Sequence, residues 1–189
     1  MRHIIKNLVA ICAQILPCEE PIYEFGSYQV EGQVGFADLR PFFPGKTYVG
    51  CDMRPGTGVD LILDLHHIAL PDETAGMVLS LDTLEHVEDP RLALSEIHRI
   101  LKPNGIVVIS SVMNFPIHDY PADYWRFTPQ AFASILKPFD TVITDYAGEA
   151  LFPHTVIGIG IKGSDVPEPV LAQLRVALAQ WRENSFHQH

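Results

Sequence analysis

Apolar positions at the start of the chain recur at helical spacing. Ile4, Leu8, Ile11 and Ile15 share one face and Pro17 closes the run, which predicts an N-terminal amphipathic helix. Pro21 to Phe25 reads as a short buried strand opening into a turn, Gly26-Ser27-Tyr28, that continues through Gly32 and Gly35. Val34 to Phe43 has room for a short helix before Pro44-Gly45 turns the chain into a strand from Thr47 to Cys51. Further strands are expected at Val59 to Leu63 and Met77 to Leu81. Asp89 is placed as an N-cap with Pro90 at the first helical position, and Leu94, Ile97 and Leu101 form the apolar stripe of the helix that follows. Lys102-Pro103-Asn104-Gly105 stops that helix, and the β-branched run Ile106 to Ile109 predicts a central strand covered on both faces. Thr128 and Pro129 open a helix to Leu136, and Thr141 to Thr144 and Thr155 to Ile161 read as an antiparallel pair. A last helix, Pro169 to Trp181, carries Leu171, Leu174, Leu178 and Trp181 on one side, as core or as the subunit contact of a homodimer. Asn184 to His189 reads as a disordered tail.

Strands alternating with helices predict an α/β fold, doubly wound around a mostly parallel sheet. The expected organisation is an N-terminal amphipathic helix over 1–20, one domain over 21–163, and a C-terminal helix and tail over 164–189. With 189 residues, 47% of them hydrophobic, the chain suffices for one core. Thirteen basic against 23 acidic side chains give a formal charge of −10, which disfavours nucleic acid as a partner. Cys12, Cys18 and Cys51 follow neither a disulfide nor a metal-ligand pattern, so a reducing, cytoplasmic location is expected. Lys6, Asn7 and Gln14 interrupt the first apolar stretch, which argues against a signal peptide, and no run reaches the ~20 apolar residues of a membrane span.

The acidic residues are placed where strands end. Asp52, Asp64 and the run Leu81-Asp82-Thr83-Leu84-Glu85-His86-Val87-Glu88-Asp89-Pro90 follow successive strands, and open α/β sheets bind ligands at those carboxyl ends. Asp52 lies 20 residues beyond Gly32, an offset that suits a ribose-binding carboxylate. The glycine turn does not suit a dinucleotide, because Gly26, Gly32 and Gly35 fail the G-x-G-x-x-G spacing that cradles pyrophosphate. Glu24 would repel a phosphate and attract an ammonium group. S-adenosylmethionine, with a sulfonium, an ammonium and no phosphate, matches that arrangement.

On Leu84 to Pro90 together with Glu96-Ile97-His98-Arg99-Ile100-Leu101-Lys102-Pro103-Asn104-Gly105, the chain resembles the class I S-adenosylmethionine-dependent methyltransferases, in the broad small-molecule family. The resemblance runs from about Pro21 to Lys162 and implies a seven-stranded sheet with an antiparallel last strand. It also implies cofactor contacts: Glu24, Gly26 and Ser27 at the methionine moiety, Asp52 on the ribose with Met53 beside the adenine, Asp64 and Leu65 after the third strand, and Leu81 and Asp82 after the fourth. The family's D-x-G-x-G-x-G turn is replaced by Glu24-Phe25-Gly26-Ser27-Tyr28-Gln29-Val30-Glu31-Gly32, in which Tyr28 is placed to close over the cofactor.

Methyl transfer from a sulfonium is an in-line displacement, so alignment of donor and acceptor can supply most of the rate. A base helps if the acceptor is a hydroxyl, and His86, His118, Asp119 and Tyr124 are the candidates. Ile117 to Thr128, rich in aromatic and ionisable groups, is expected to face the acceptor. Its likeness to methyltransferases encoded with surface-glycan genes implies a small-molecule or glycan hydroxyl. No metal is expected, because His66-His67 and the other histidines lack ligand spacing along the chain. Two other readings share these features: an NAD-dependent oxidoreductase, and a methyltransferase-like subunit that binds without catalysing.

Overall fold

The computed structural model describes residues 1–118 and 122–185. In chain order the elements are α1 (His3–Ile15), β1 (Ile22–Phe25), β2 (Tyr48–Asp52), β3 (Leu61–Ile62), β4 (Ala75–Leu81), α2 (Pro90–Ile100), β5 (Leu101–Val112), α3 (Pro129–Ile135), β6 (Thr141–Glu149), β7 (Phe152–Ile161) and α4 (Glu168–Ser185), with 3₁₀ turns at Arg40–Phe42 and Leu84–His86. The strands form one sheet in the order β3-β2-β1-β4-β5-β7-β6. β7 runs antiparallel to both β5 and β6, and the remaining pairings are parallel. The order reverses at β1, which lies between β2 and β4, and a crevice opens there at the carboxyl ends of the strands.

Strand periodicity splits the core into two layers. Met77, Leu79 and Leu81 of β4, with Ile106 and Val108 of β5, face α1 and α4. The intervening Val78, Val107 and Ile109 face α2 and α3. Leu171, Leu174, Leu178 and Trp181 are all buried in the first layer, so that stripe is core of the single chain and not a subunit contact. Trp181 also donates its indole N–H to the Ile4 carbonyl at 2.9 Å, which fastens α4 to the first turn of α1. The helix caps form as their residue types require: the Asp89 carboxylate accepts from the Arg91 and Leu92 amides, and the Thr128 hydroxyl accepts from the Ala131 amide.

The structure departs from the sequence pattern at several elements. α1 buries Ile4, Ile5, Leu8, Val9 and Cys12, while Ile11 and Ile15 are half-buried, because the helix packs with a wider face than a single stripe. Residues 34–43 form no α-helix; Gly35 sits at φ 78° and Pro41 and Pro44 interrupt amide bonding, leaving only the 3₁₀ turn. β3 is two exposed residues at the sheet edge, where Gly58 at φ 90° shortens it. β5 begins at Leu101, and its register with β4 shifts as the chain bulges through Asn104 at φ 63°. β6 and β7 extend to within three residues of each other. Asn184 and Ser185 belong to α4, where the buried Ser185 hydroxyl accepts from the Gly148 amide; residues 186–189 of the expected tail lie outside the described residues. Among the described residues no helix is long and apolar enough to cross a membrane.

Candidate active site

A cavity of about 670 Å³ lies in the crevice at the carboxyl ends of β1, β2, β4 and β5. Glu24, Gly26, Ser27, Tyr28, Asp52, Met53, Asp64, Leu65, Leu81 and Asp82, every residue expected to touch the cofactor, line it. β1 packs tightly against the loop after β4 at Gly26. Its φ is 89°, and a Cβ added there would fall 2.2 Å from the Thr83 hydroxyl oxygen, so no larger residue fits without displacing Thr83. Ser27 is buried behind it and donates its hydroxyl to the Cys51 carbonyl at 3.2 Å, tying the turn to β2.

Five carboxylates line the cavity, and Glu24, Asp52, Asp64 and Asp82 are each held differently. Glu24 is buried on β1, and burial pushes its carboxyl up to about 7 against the opposing hydrogen bond that Tyr48 donates at 2.8 Å. Asp52 is buried at the end of β2 and accepts from both the amide and the side chain of Arg54, each at 3.1 Å. The Arg54 guanidinium in turn lies 4.3 Å from the centre of the Tyr28 ring, so Tyr28, Arg54 and Asp52 form one stacked unit. Asp64 is more exposed; burial opposes its ionisation, but the amide and ring of His66, at 2.9 and 2.8 Å, hold it below the usual carboxylate range. Asp82 sits at φ 48°, takes two hydrogen bonds from Arg2 at 3.1 and 2.9 Å, and accepts from the Ser110 hydroxyl at 2.9 Å. Met53 is largely exposed at the rim, whereas Leu65 and Leu81 are buried in the wall.

The residues expected to assist chemistry separate in space. His86 and His118 line the cavity with their rings edge to face, 4.8 Å between centroids. Tyr124 does not line it; its side chain is half exposed, and its amide donates to the Glu85 carbonyl at 2.8 Å. Asp119 lies outside the described residues. Glu85 escaped the sequence reading, although it is buried in the wall beside His86, accepts from the Ser111 hydroxyl at 2.7 Å, and is pushed upward in pKa first by burial and then by the charge of Asp82. Its position in the Leu84-Glu85-His86 turn was the available signal. Arg2 and Arg54 were missed as well; the partner of Arg2, Asp82, is set by the fold, whereas Asp52 lies two residues before Arg54.

A family model described as a methyltransferase domain matches residues 41–109. Solved structures share the fold over most of the chain. A 1,6-didemethyltoxoflavin N1-methyltransferase from Burkholderia thailandensis with bound S-adenosylhomocysteine is 16% identical, with a TM-score of 0.63 over 86% of this chain and 79% of that one. An S-adenosylmethionine-dependent methyltransferase from Thermotoga maritima is 18% identical, with a TM-score of 0.59 over 84% and 89%. A chain from the complex of the Haloferax volcanii Trm112 methyltransferase activator is 16% identical, with a TM-score of 0.62 over 84% and 90%. No curated protein matches the sequence. The chain thus shares its fold with these methyltransferases, and its residues 41–109 match a methyltransferase domain.

Proposed function

We propose that this chain methylates a hydroxyl of a small-molecule or glycan acceptor, with S-adenosylmethionine bound across the carboxyl ends of β1, β2 and β4. The observation that carries the reading is the set Glu24, Asp52, Asp64 and Asp82 around a cavity that Gly26, with no room for a Cβ beside Thr83, also lines. When bound, S-adenosylmethionine supplies a methyl group on a positively charged sulfur. Glu24 and Asp82 face its cationic methionine end, Asp52 accepts from the ribose hydroxyls while sharing its charge with Arg54, and Met53, Asp64 and Leu65 border the adenine. The pyrophosphate of a dinucleotide would meet the same carboxylates, which disfavours an NAD-dependent oxidoreductase.

On the acceptor side, the chain contributes alignment and a proton acceptor. An acceptor hydroxyl taking that methyl group would give up its proton to an imidazole nitrogen of His86 or His118. Phe115 and His118, at the start of the segment leading to Thr128, line the cavity and border the acceptor. The three cysteines are free, in keeping with a reducing cytoplasm. Calorimetry with S-adenosylhomocysteine tests the cofactor site: Asp52→Ala should weaken binding by about 1.5–3 kcal/mol through loss of charge-assisted hydrogen bonds. Unchanged affinity would remove the ribose assignment. Full binding without methyl transfer to any hydroxyl acceptor would favour the non-catalytic reading.

A further inference from the structure

We propose that Glu85, His86 and His118 form a binding site for a divalent first-row transition-metal cation on the wall of the cavity. His118 is remote in sequence from the adjacent Glu85 and His86, so spacing alone conceals the set, but the fold brings one ligand atom from each within 4.8 Å of the others. Ligands bound at ~2.1 Å around a tetrahedral ion lie about 3.4 Å apart, so closing the set takes side-chain shifts on the order of an ångström.

A second observation is independent of that grouping. Glu85 is 1% exposed, and while its Oε2 accepts from Ser111, its Oε1 is buried without a hydrogen-bond partner. A buried carboxylate oxygen left in this way is costly unless a cation or donor meets it. Glu85, His86 and His118 all line the same cavity, so a cation entering it reaches all three.

The histidines are also prepared for coordination. His86 Nδ1 lies 2.6 Å from the Ala122 carbonyl, and His118 Nδ1 lies 3.2 Å from both the Pro116 carbonyl and the Asp123 carboxylate. A carbonyl can only accept, so each ring carries its proton on Nδ1 and leaves the Nε2 lone pair for a metal. Outer contacts pin the backbone: the Tyr124 and Trp125 amides donate to the Glu85 carbonyl, and the Trp125 indole donates to the Val87 carbonyl at 3.0 Å. One carboxylate and two imidazoles suit Mn²⁺, Fe²⁺, Co²⁺ or Zn²⁺, and three protein ligands leave positions open for water or a substrate oxygen. With the cation bound both imidazoles would be ligands, and an acceptor hydroxyl taking an open position would have its pKa lowered by the cation in place of a histidine base. That role rests on the methyltransferase reading; the metal site does not.

The test uses the full chain without a tag, stripped by chelator and titrated with Co²⁺ by visible absorption and with Zn²⁺ by calorimetry. One equivalent should bind with the ligand-field bands of nitrogen and oxygen coordination. Glu85→Gln and His118→Ala should each weaken it at least tenfold. His118 is partly exposed, so its variant keeps the proposal testable if the Glu85 variant fails to fold. Absence of a stoichiometric metal, or variants that bind like the parent, would overturn the site. S-adenosylhomocysteine affinity of the metal-free protein, measured in parallel, separates this outcome from failure of the methyltransferase reading.

Discussion

Acidification from about pH 7 to about pH 6 should weaken S-adenosylhomocysteine binding roughly fivefold, because a carboxyl with a pKa of about 7 falls from one-half to about one-eleventh ionised over that interval. The group responsible is Glu24, whose charge would meet the ligand's ammonium. Its surroundings define the effect: burial raises the carboxyl, the Tyr48 hydroxyl and the Arg40 charge lower it, and Asp38 raises it again. The ligand's own amine keeps its proton across this window, with a reference pKa near 8. Calorimetric affinities at both pH values, for the parent and for Glu24→Gln, give the answer. The amide introduced by that substitution retains an acceptor for Tyr48 but cannot titrate, so the variant's affinity should be weaker and flat with pH. Glu85 lines the same cavity and is also raised, so an equal slope in both proteins would transfer the effect away from Glu24 and refute the assignment. The same shift acts on folding. The native state holds the proton from the ordinary value near 4.5 up to about 7, so stability is greatest below 4.5 and declines as pH rises through that window, by about 3 kcal/mol at most. Urea denaturation across the window should show a smaller decline in Glu24→Gln than in the parent, because Glu85, also raised, keeps its own share.

Gly26→Ala should destabilise the fold by about 2–4 kcal/mol, from positive φ and the overlap with Thr83, and should cost cofactor affinity as well; adding Thr83→Ala should recover part of the stability in denaturant melts, and no recovery would mean that backbone strain alone is responsible. Asp89→Ala should cost about 1 kcal/mol through loss of the α2 cap while leaving S-adenosylhomocysteine affinity unchanged, and a large affinity loss in calorimetry would contradict a purely structural role.

Local chemistry made much of this fold legible. Asp89-Pro90 and Thr128-Pro129 start helices because the cap acts within three residues, and Ile106 to Ile109 reads as a buried strand because β-branched side chains fill both faces. Asp52 and Asp64 were legible at their strand ends for the same reason: the apolar run before each one marks where a strand stops. What escaped depends on distant partners. The bulge at Asn104 is a property of the β4–β5 pairing, and residues 34–43 bury Leu39 and Phe43 in the core around no more than a 3₁₀ turn. Within the cavity, Arg2 reaches Asp82 across 80 positions of sequence, and Glu85 meets Ser111 across 26. Neither pairing leaves a periodic trace.

The tie between Trp181 and Ile4 gives the last helix a remote influence. Arg2 stands immediately before the helix that Trp181 clasps, and it orients Asp82 at the rim of the cleft. Disturbing α4 would therefore slacken a strap that crosses the sheet and ends at the donor pocket. Edits far from the reacting groups would register as altered turnover, although no side chain in the pocket had been changed.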